Sequence, residues 1–274
     1  MGFVTASAPG KCILFGEHAV VYGHPAVAVA IDQRISLKIQ PSPNNLWLLD
    51  GSSLNMNRNP HIKGLIEKLW PENDGAPALS IHIKGNIPRA SGLGSSASLS
   101  VAFAAALRMA RGRWVSKTDE IQQQHWLEGF GSSITNSEPY DNSPGFFTTE
   151  SQDDTYHITS KGSVDYDECA ILAHSVEAAA QQGRASPMDS STCSHGGIVI
   201  ISDVVEPGLD YLYQRTLAIK DATRQWHIHN MSPPSNSDDV YLVIGNTGVH
   251  APTGKQVAKV ADSVNFLHTR RVLL

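Results

Sequence analysis

Between residues 78 and 109 the chain changes character twice, and no other stretch constrains its fold as much. ALSIHIKG (78–85) alternates apolar and polar residues, the mark of a strand with one buried face. NIPRASGLGSSAS follows, rich in turn residues. Then LSVAFAAALRMA is apolar on every side and too long for most strands. Such a run predicts a buried helix over 96–109, because a helix without a polar face has to be enclosed by other elements. The chain has the means to enclose it: 41% of its 274 residues are hydrophobic, enough for one large or two modest domains.

The strand–loop–helix context gives the glycine pattern SGLGSSAS (91–98) chemical meaning. Glycines let a backbone adopt positive φ and approach a ligand closely. A helix N-terminus offers unpaired N–H groups and the positive end of a dipole, which together bind anions. Ser95 and Ser96 add hydroxyls for a phosphate oxygen or Mg²⁺. The same residues would also serve a plain glycine turn with a serine N-cap. The loop is neither a Walker A sequence nor a dinucleotide fingerprint.

Elsewhere the residues predict one long strand or two short ones over 27–40, a short strand near 46–49 and a short helix in HIKGLIEKLW ended by Pro71. YDECAILAHSVEAAAQQG places apolar residues at 169, 172, 173, 176 and 180, with Gly183 just past its end, and predicts a helix. GGIVIIS (196–202) and VYLVIGNT (240–247) read as buried strands, and TGKQVAKVADSVNFLH as an amphipathic helix. Residues 203–237 are mixed and give no clear element. Residues 112–163 are polar and lack periodicity, so they read as an insertion.

Composition excludes several classes. With 21 basic against 26 acidic residues the net charge is −5, and no basic stripe marks a nucleic-acid partner. No stretch reaches the ~18 apolar residues of a membrane span. Cys12, Cys169 and Cys193 fit no metal spacing and no disulfide framework, which points to a reduced compartment. A cytoplasmic protein is the expectation.

Four ordered segments identify a family. PGKCILFGEHAVVYGHPAV (9–27) and PRASGLGSSAS (88–98) resemble the first and second signature motifs of the GHMP small-molecule kinases, and GEHAVVYG resembles the mevalonate kinases among them. GRASPMDSSTCSHGG (183–197) is similar to the segment that supplies the family's catalytic aspartate. VIGNTGVHAPTGKQVAKV (243–260) is similar to the strand–loop–helix that follows it.

The resemblance implies an α+β GHMP kinase fold: an N-terminal ribosomal S5 domain 2-like domain over 1–202, carrying the polar insertion at about 112–163, and an incomplete C-terminal ferredoxin-like domain over 203–274. It implies Mg²⁺-dependent transfer of the ATP γ-phosphoryl group to the C5 hydroxyl of mevalonate, a small-molecule chemistry with no nucleic-acid or membrane partner, and a homodimer. Asp189 would be the base or hydroxyl-orienting carboxylate, and Lys11 would pair with it and stabilise transition-state charge. Gly92, Leu93, Gly94, Ser95, Ser96 and Ala97 would cradle the ATP phosphates. Glu17, His18 and Thr253 would line the substrate cleft. Ser96 and Glu177 would hold the metal. The family's glutamate usually lies five residues before the glycine that Gly183 matches, where this chain has Ala178; either the helix end restores the register of Glu177 or the ligand is displaced. His195 is expected to be packed or hydrogen-bonded.

The family's third motif, a glycine-rich loop, is absent from this sequence. The expectation is therefore of a C-terminally truncated chain, with a non-catalytic GHMP fold, or a kinase for another substrate such as phosphomevalonate, as the alternatives.

Overall fold

The computed structural model describes residues 3–17, 20, 24–70, 78–88, 91–115, 164–181, 183, 185–219, 222–232 and 241–245. One long strand organises the sheet. β1 (Val4–Phe15) and β2 (Ala26–Pro41) pair antiparallel from Val4↔Ile39 to Phe15↔Val27, so 27–40 is one strand and not two. Two short strands follow, β3 (Leu48–Leu49) and β4 (Ser52–Ser53), and then β5 (Leu79–Gly85), the alternating segment. β5 takes residues 35–41 of β2, on the edge away from β1, and β6 (Ile198–Ser202) takes residues 26–29.

Four α-helices among the described residues pack together with this sheet. α1 (Pro60–Leu69) starts with proline in its first turn, where the missing N–H costs nothing, and buries Ile62, Leu65, Ile66 and Leu69 at helical spacing. α2 (Ser95–Val115) is the enclosed helix: Val101, Ala102, Phe103, Ala104, Ala105, Ala106 and Leu107 are all buried. Its alanines admit close neighbours, while Phe103 and Leu107 each gain about 2–3 kcal/mol from leaving water. The helical backbone continues six residues past the expected end at 109. α3 (Tyr166–Ala180) is capped by the Asp165 carboxylate, which accepts from the N–H groups of Asp167 and Glu168 at 2.8 and 3.2 Å. α4 (Met188–His195) follows after a short turn.

Arg108 on α2 and Glu168 on α3 form a buried pair, Nη2 to Oε2 at 2.6 Å. Burial pushes the Glu168 carboxyl up and the Arg108 guanidinium down, each against the pull of its partner. Such a pair fixes how two helices align more than it adds net stability.

Residues 203–237, which gave no clear element, contain a hairpin. β7 (Asp210–Ile219) and β8 (Ala222–Met231) pair antiparallel, and β8 also pairs with β6, so the sheet runs on past Ser202. Tyr213, Trp226 and Ile228 pack against Met188 and Ala170, and the Trp226 indole donates to the Val20 carbonyl at 3.0 Å. The expected buried strand over 240–247 is corrected: the described residues 241–245 form no strand, and Tyr241 and Val243 are 84% and 93% exposed. An apolar run shows that a segment can be buried, not that a neighbouring strand is there to bury it. The expected helix near 253–268 and residues 116–163 of the insertion lie outside the described residues.

Among the described residues the three cysteines are free, and no helix is long and apolar enough to cross a membrane.

Candidate active site

The glycine loop enters α2 with two residues in the left-handed region, Gly92 (φ +77) and Gly94 (φ +75). The turn is pinned to β1 by backbone contacts. Lys11 N–H donates to the Leu93 carbonyl at 3.0 Å, and the Ser98 hydroxyl donates to the Ala8 carbonyl at 2.7 Å. Gly10 makes the approach possible: a Cβ there would lie 2.7 Å from the Leu93 oxygen. β1 is irregular between Pro9 and Lys11, a bulge at the point where the loop docks.

The first intrahelical bond of α2 runs from Ser98 N–H to the Gly94 carbonyl at 2.8 Å, so the N–H groups of Ser95, Ser96 and Ala97 belong to the open end of the helix. The first turn of α2 carries no acidic side chain, unlike those of α3 and α4, so its positive end is uncompensated. Ser96 is exposed there, and Ala97 is buried.

Lys11 meets Asp189 beside this loop. The Lys11 Nζ lies 3.0 Å from Asp189 Oδ1, across 178 residues of sequence (189 minus 11), with the lysine side chain 4% and the aspartate 27% exposed. Burial pulls the Lys11 pKa down, but the Asp189 carboxylate, by charge and hydrogen bond, outweighs it with help from Glu17 and Cys193, and the net shift is upward. Asp189 stands in the first turn of α4, where the dipole favours a carboxylate. That turn is braced by Ser190, whose hydroxyl donates to the Pro187 carbonyl at 3.1 Å, and by a 2.8 Å contact between Ser191 Oγ and the Tyr213 hydroxyl.

Glu177 on α3 completes the titratable group. It is 9% exposed, and its Oε1 accepts from Gln181 Nε2 at 3.1 Å while Oε2 is buried with no hydrogen-bond partner. Burial first and the neighbouring Asp189 second push its carboxyl up to about 8, against the pull of Lys11 and Gln181. α3 ends where Gly183 (φ +80) donates to the Ala178 carbonyl at 2.7 Å, five residues back. Glu177 lies near enough to Asp189 and Lys11 for both charges to act on it.

The structure thus brings together Lys11, Asp189 and Glu177 beside the loop of Gly92, Leu93, Gly94, Ser95, Ser96 and Ala97. Glu17 is exposed in the turn after β1, near enough to act on Lys11. His18 and Thr253 lie outside the described residues. His195 packs as expected, with Tyr166 and Tyr213 against its ring and Asp167 Oδ1 3.0 Å from Nε2. Two residues at the site carried no sequence signal. His61, second in α1, places Nε2 2.9 Å from Ser96 Oγ, with its pKa lowered by burial. Cys193 donates weakly to the Gly94 carbonyl at 3.9 Å, and burial raises its thiol well above the ordinary range, which makes it inert.

The family model of the GHMP kinases N terminal domain matches residues 60–142. A mevalonate kinase of Methanothermobacter thermautotrophicus is 31% identical over 201 residues, 72% of this chain and 50% of that protein. A mevalonate kinase of Archaeoglobus fulgidus is 45% identical over 104 residues, 37% of this chain and 36% of that protein. The crystal structure of the Methanococcus jannaschii mevalonate kinase aligns with a TM-score of 0.46 at 27% identity, covering 73% of this chain and 54% of that one. The chain spans about half the length, or less, of these curated relatives. Sequence shared with kinases across 72% of the chain, together with the matched N-terminal domain, makes this protein a member of the GHMP kinase family.

Proposed function

We propose that this chain binds ATP at the 92–97 loop and transfers its γ-phosphoryl group to the C5 hydroxyl of mevalonate, giving 5-phosphomevalonate and ADP. The observation that carries the reading is the Lys11–Asp189 pair, a buried ammonium held 3.0 Å from a partly exposed carboxylate beside an uncompensated helix N-terminus. The mevalonate kinases among the relatives support mevalonate as the substrate.

The N–H groups at the start of α2 hold the phosphate oxygens. Asp189, anchored through Oδ1, presents its solvent-facing side to the substrate hydroxyl and takes or orients its proton. The hydroxyl oxygen bonds to the γ-phosphorus as the bond from that phosphorus to the β,γ-bridging oxygen breaks, and ADP leaves with that electron pair. Lys11 offsets charge that builds on the transferred group. Glu17, with His18 beside it in sequence, and Thr253 are assigned to the mevalonate side.

The donor set fits Mg²⁺. Glu177 Oε2 is a buried carboxylate oxygen without a partner, and Ser96 supplies an exposed hydroxyl. Mg²⁺ commonly takes one or two carboxylates and completes its shell with phosphates and water, so Glu177 and Ser96 would suffice as its protein ligands. When bound, Mg²⁺ neutralises phosphate charge.

ADP release with ATP and Mg²⁺ is the test, run separately with mevalonate and with phosphomevalonate. Mevalonate-dependent release that Asp189→Ala abolishes is expected. Release with phosphomevalonate alone moves the assignment to that substrate. No release above background with either, and Asp189→Ala indistinguishable from wild type, makes this chain a non-catalytic member of its family.

A further inference from the structure

We infer that His61 is a positioning residue for the phosphate loop, acting through Ser96: its Nε2 takes the hydrogen of the Ser96 hydroxyl, so that the lone pairs of that oxygen face the nucleotide and its cation. The inference rests on the kinase reading of the 92–97 loop and adds a residue from a separate helix to it.

Three polar contacts close a circuit around the imidazole. Ser96 Oγ lies 2.9 Å from His61 Nε2. Ser100 Oγ lies 3.4 Å from His61 Nδ1 and donates its own hydrogen to the Ser96 carbonyl at 3.0 Å. With the Ser100 hydrogen on that carbonyl, its oxygen meets Nδ1 as an acceptor, which places the ring hydrogen on Nδ1. In the neutral ring Nε2 is then bare and can only accept, so Ser96 Oγ is the donor. A serine oxygen whose hydrogen points backward presents lone pairs forward, as a cation ligand must. Without an acceptor at Nε2 the hydroxyl rotates freely, and part of its population turns its hydrogen toward the ion.

The contact also joins elements that sequence leaves apart. His61 sits on α1, 35 residues before Ser96, and the packing of α1 against α2 brings the ring over the first turn of α2. The tautomer is set by the group at the second ring nitrogen, the arrangement by which outer residues commonly orient metal ligands.

Two measurements test it. Nitrogen NMR of the His61 ring in the full chain reads the tautomer without any ligand. The expected result is the Nδ1–H form, with an Nε2 resonance that moves in Ser96→Ala; an Nε2–H form, or no response to Ser96→Ala, overturns the proposal. Affinity for Mn²⁺·ADP is then compared in wild type, His61→Leu, His61→Gln, Ser96→Ala and the His61→Leu/Ser96→Ala double variant. Leucine removes the acceptor, whereas the glutamine side-chain oxygen can replace it. The expected result is about tenfold weaker binding for His61→Leu, substantial rescue by His61→Gln, and no added loss when His61→Leu is placed on Ser96→Ala. An equal loss on both backgrounds, or glutamine as harmful as leucine, shows a packing role and overturns the inference. Wild type that fails to bind Mn²⁺·ADP refutes the kinase reading and removes the positioning role with it, whereas the tautomer measurement refutes the inference alone.

Discussion

Removing one partner of the Lys11–Asp189 pair should not cost the same as removing the other. The lysine side chain is 4% exposed and the aspartate 27%. In Asp189→Ala the ammonium is left buried, and the largest influence that holds its pKa up is gone. An uncompensated buried charge costs about 3–5 kcal/mol, and release of the proton and the residual pull of Glu17 bring the expected loss to about 3 kcal/mol. In Lys11→Met the buried charge disappears, most of the aliphatic stem stays, and water reaches Asp189 from its exposed side. That loss should be about 1 kcal/mol. Urea denaturation at neutral pH resolves a difference of about 2 kcal/mol as a shift in midpoint.

The pH dependence carries the same sign. In wild type the Lys11 pKa is raised, so the pair's contribution is complete below the unfolded value of 10.5 and is lost only as pH rises through the higher folded value. In Asp189→Ala burial dominates and the pKa falls below 10.5, so that variant loses further stability as pH drops from 10.5 toward neutrality. Lys11→Met as destabilising as Asp189→Ala, or the two variants running parallel with pH, would refute the reasoning.

Two further outcomes follow. Gly92→Ala and Gly94→Ala share the left-handed backbone cost of about 1–2 kcal/mol, but only at Gly94 would the new Cβ meet a neighbour, 2.8 Å from Lys11 Cγ, so in thermal melts Gly94→Ala should unfold several degrees below Gly92→Ala. His174, buried against Trp226, bonds the Ala185 carbonyl through Nε2 at 3.1 Å and accepts from Arg215 at 2.9 Å, and its pKa is lowered to about 4, chiefly by burial. Its contribution is present above 6.5 and lost as pH falls through about 4, worth about 3 kcal/mol, so urea midpoints of His174→Gln should fall less steeply with acid than those of wild type.

The parts of this molecule that were legible in its sequence are those whose signal is local. α2 could be read because an all-apolar run has one plausible home, and β5 because its alternation is clean. The β7–β8 hairpin could not. A bulge between Tyr211 and Tyr213 breaks the period of β7. In β8 the polar His229 is fully buried because the turn after β6 folds over it and Glu206 N–H donates to its Nε2 at 3.0 Å. Polar and apolar residues therefore stop marking the two faces. At the site, spacing says nothing about Lys11 meeting Asp189; the order of motifs supplied that pairing, and packing of β1, α2 and α4 realises it. His61 was silent because a histidine in a helix start carries no mark of the serine it will face.

Phosphorus NMR of stoichiometric enzyme with ATP, Mg²⁺ and mevalonate tests transfer at Asp189 most directly, because it identifies the phosphorylated species even when turnover is slow. Wild type should convert the γ-phosphate signal into a phosphomonoester on mevalonate, and Asp189→Ala should leave ATP intact. Intact ATP with wild type, release of inorganic phosphate alone, or the same phosphomonoester from Asp189→Ala would contradict a phosphoryl-transfer site built on Lys11 and Asp189.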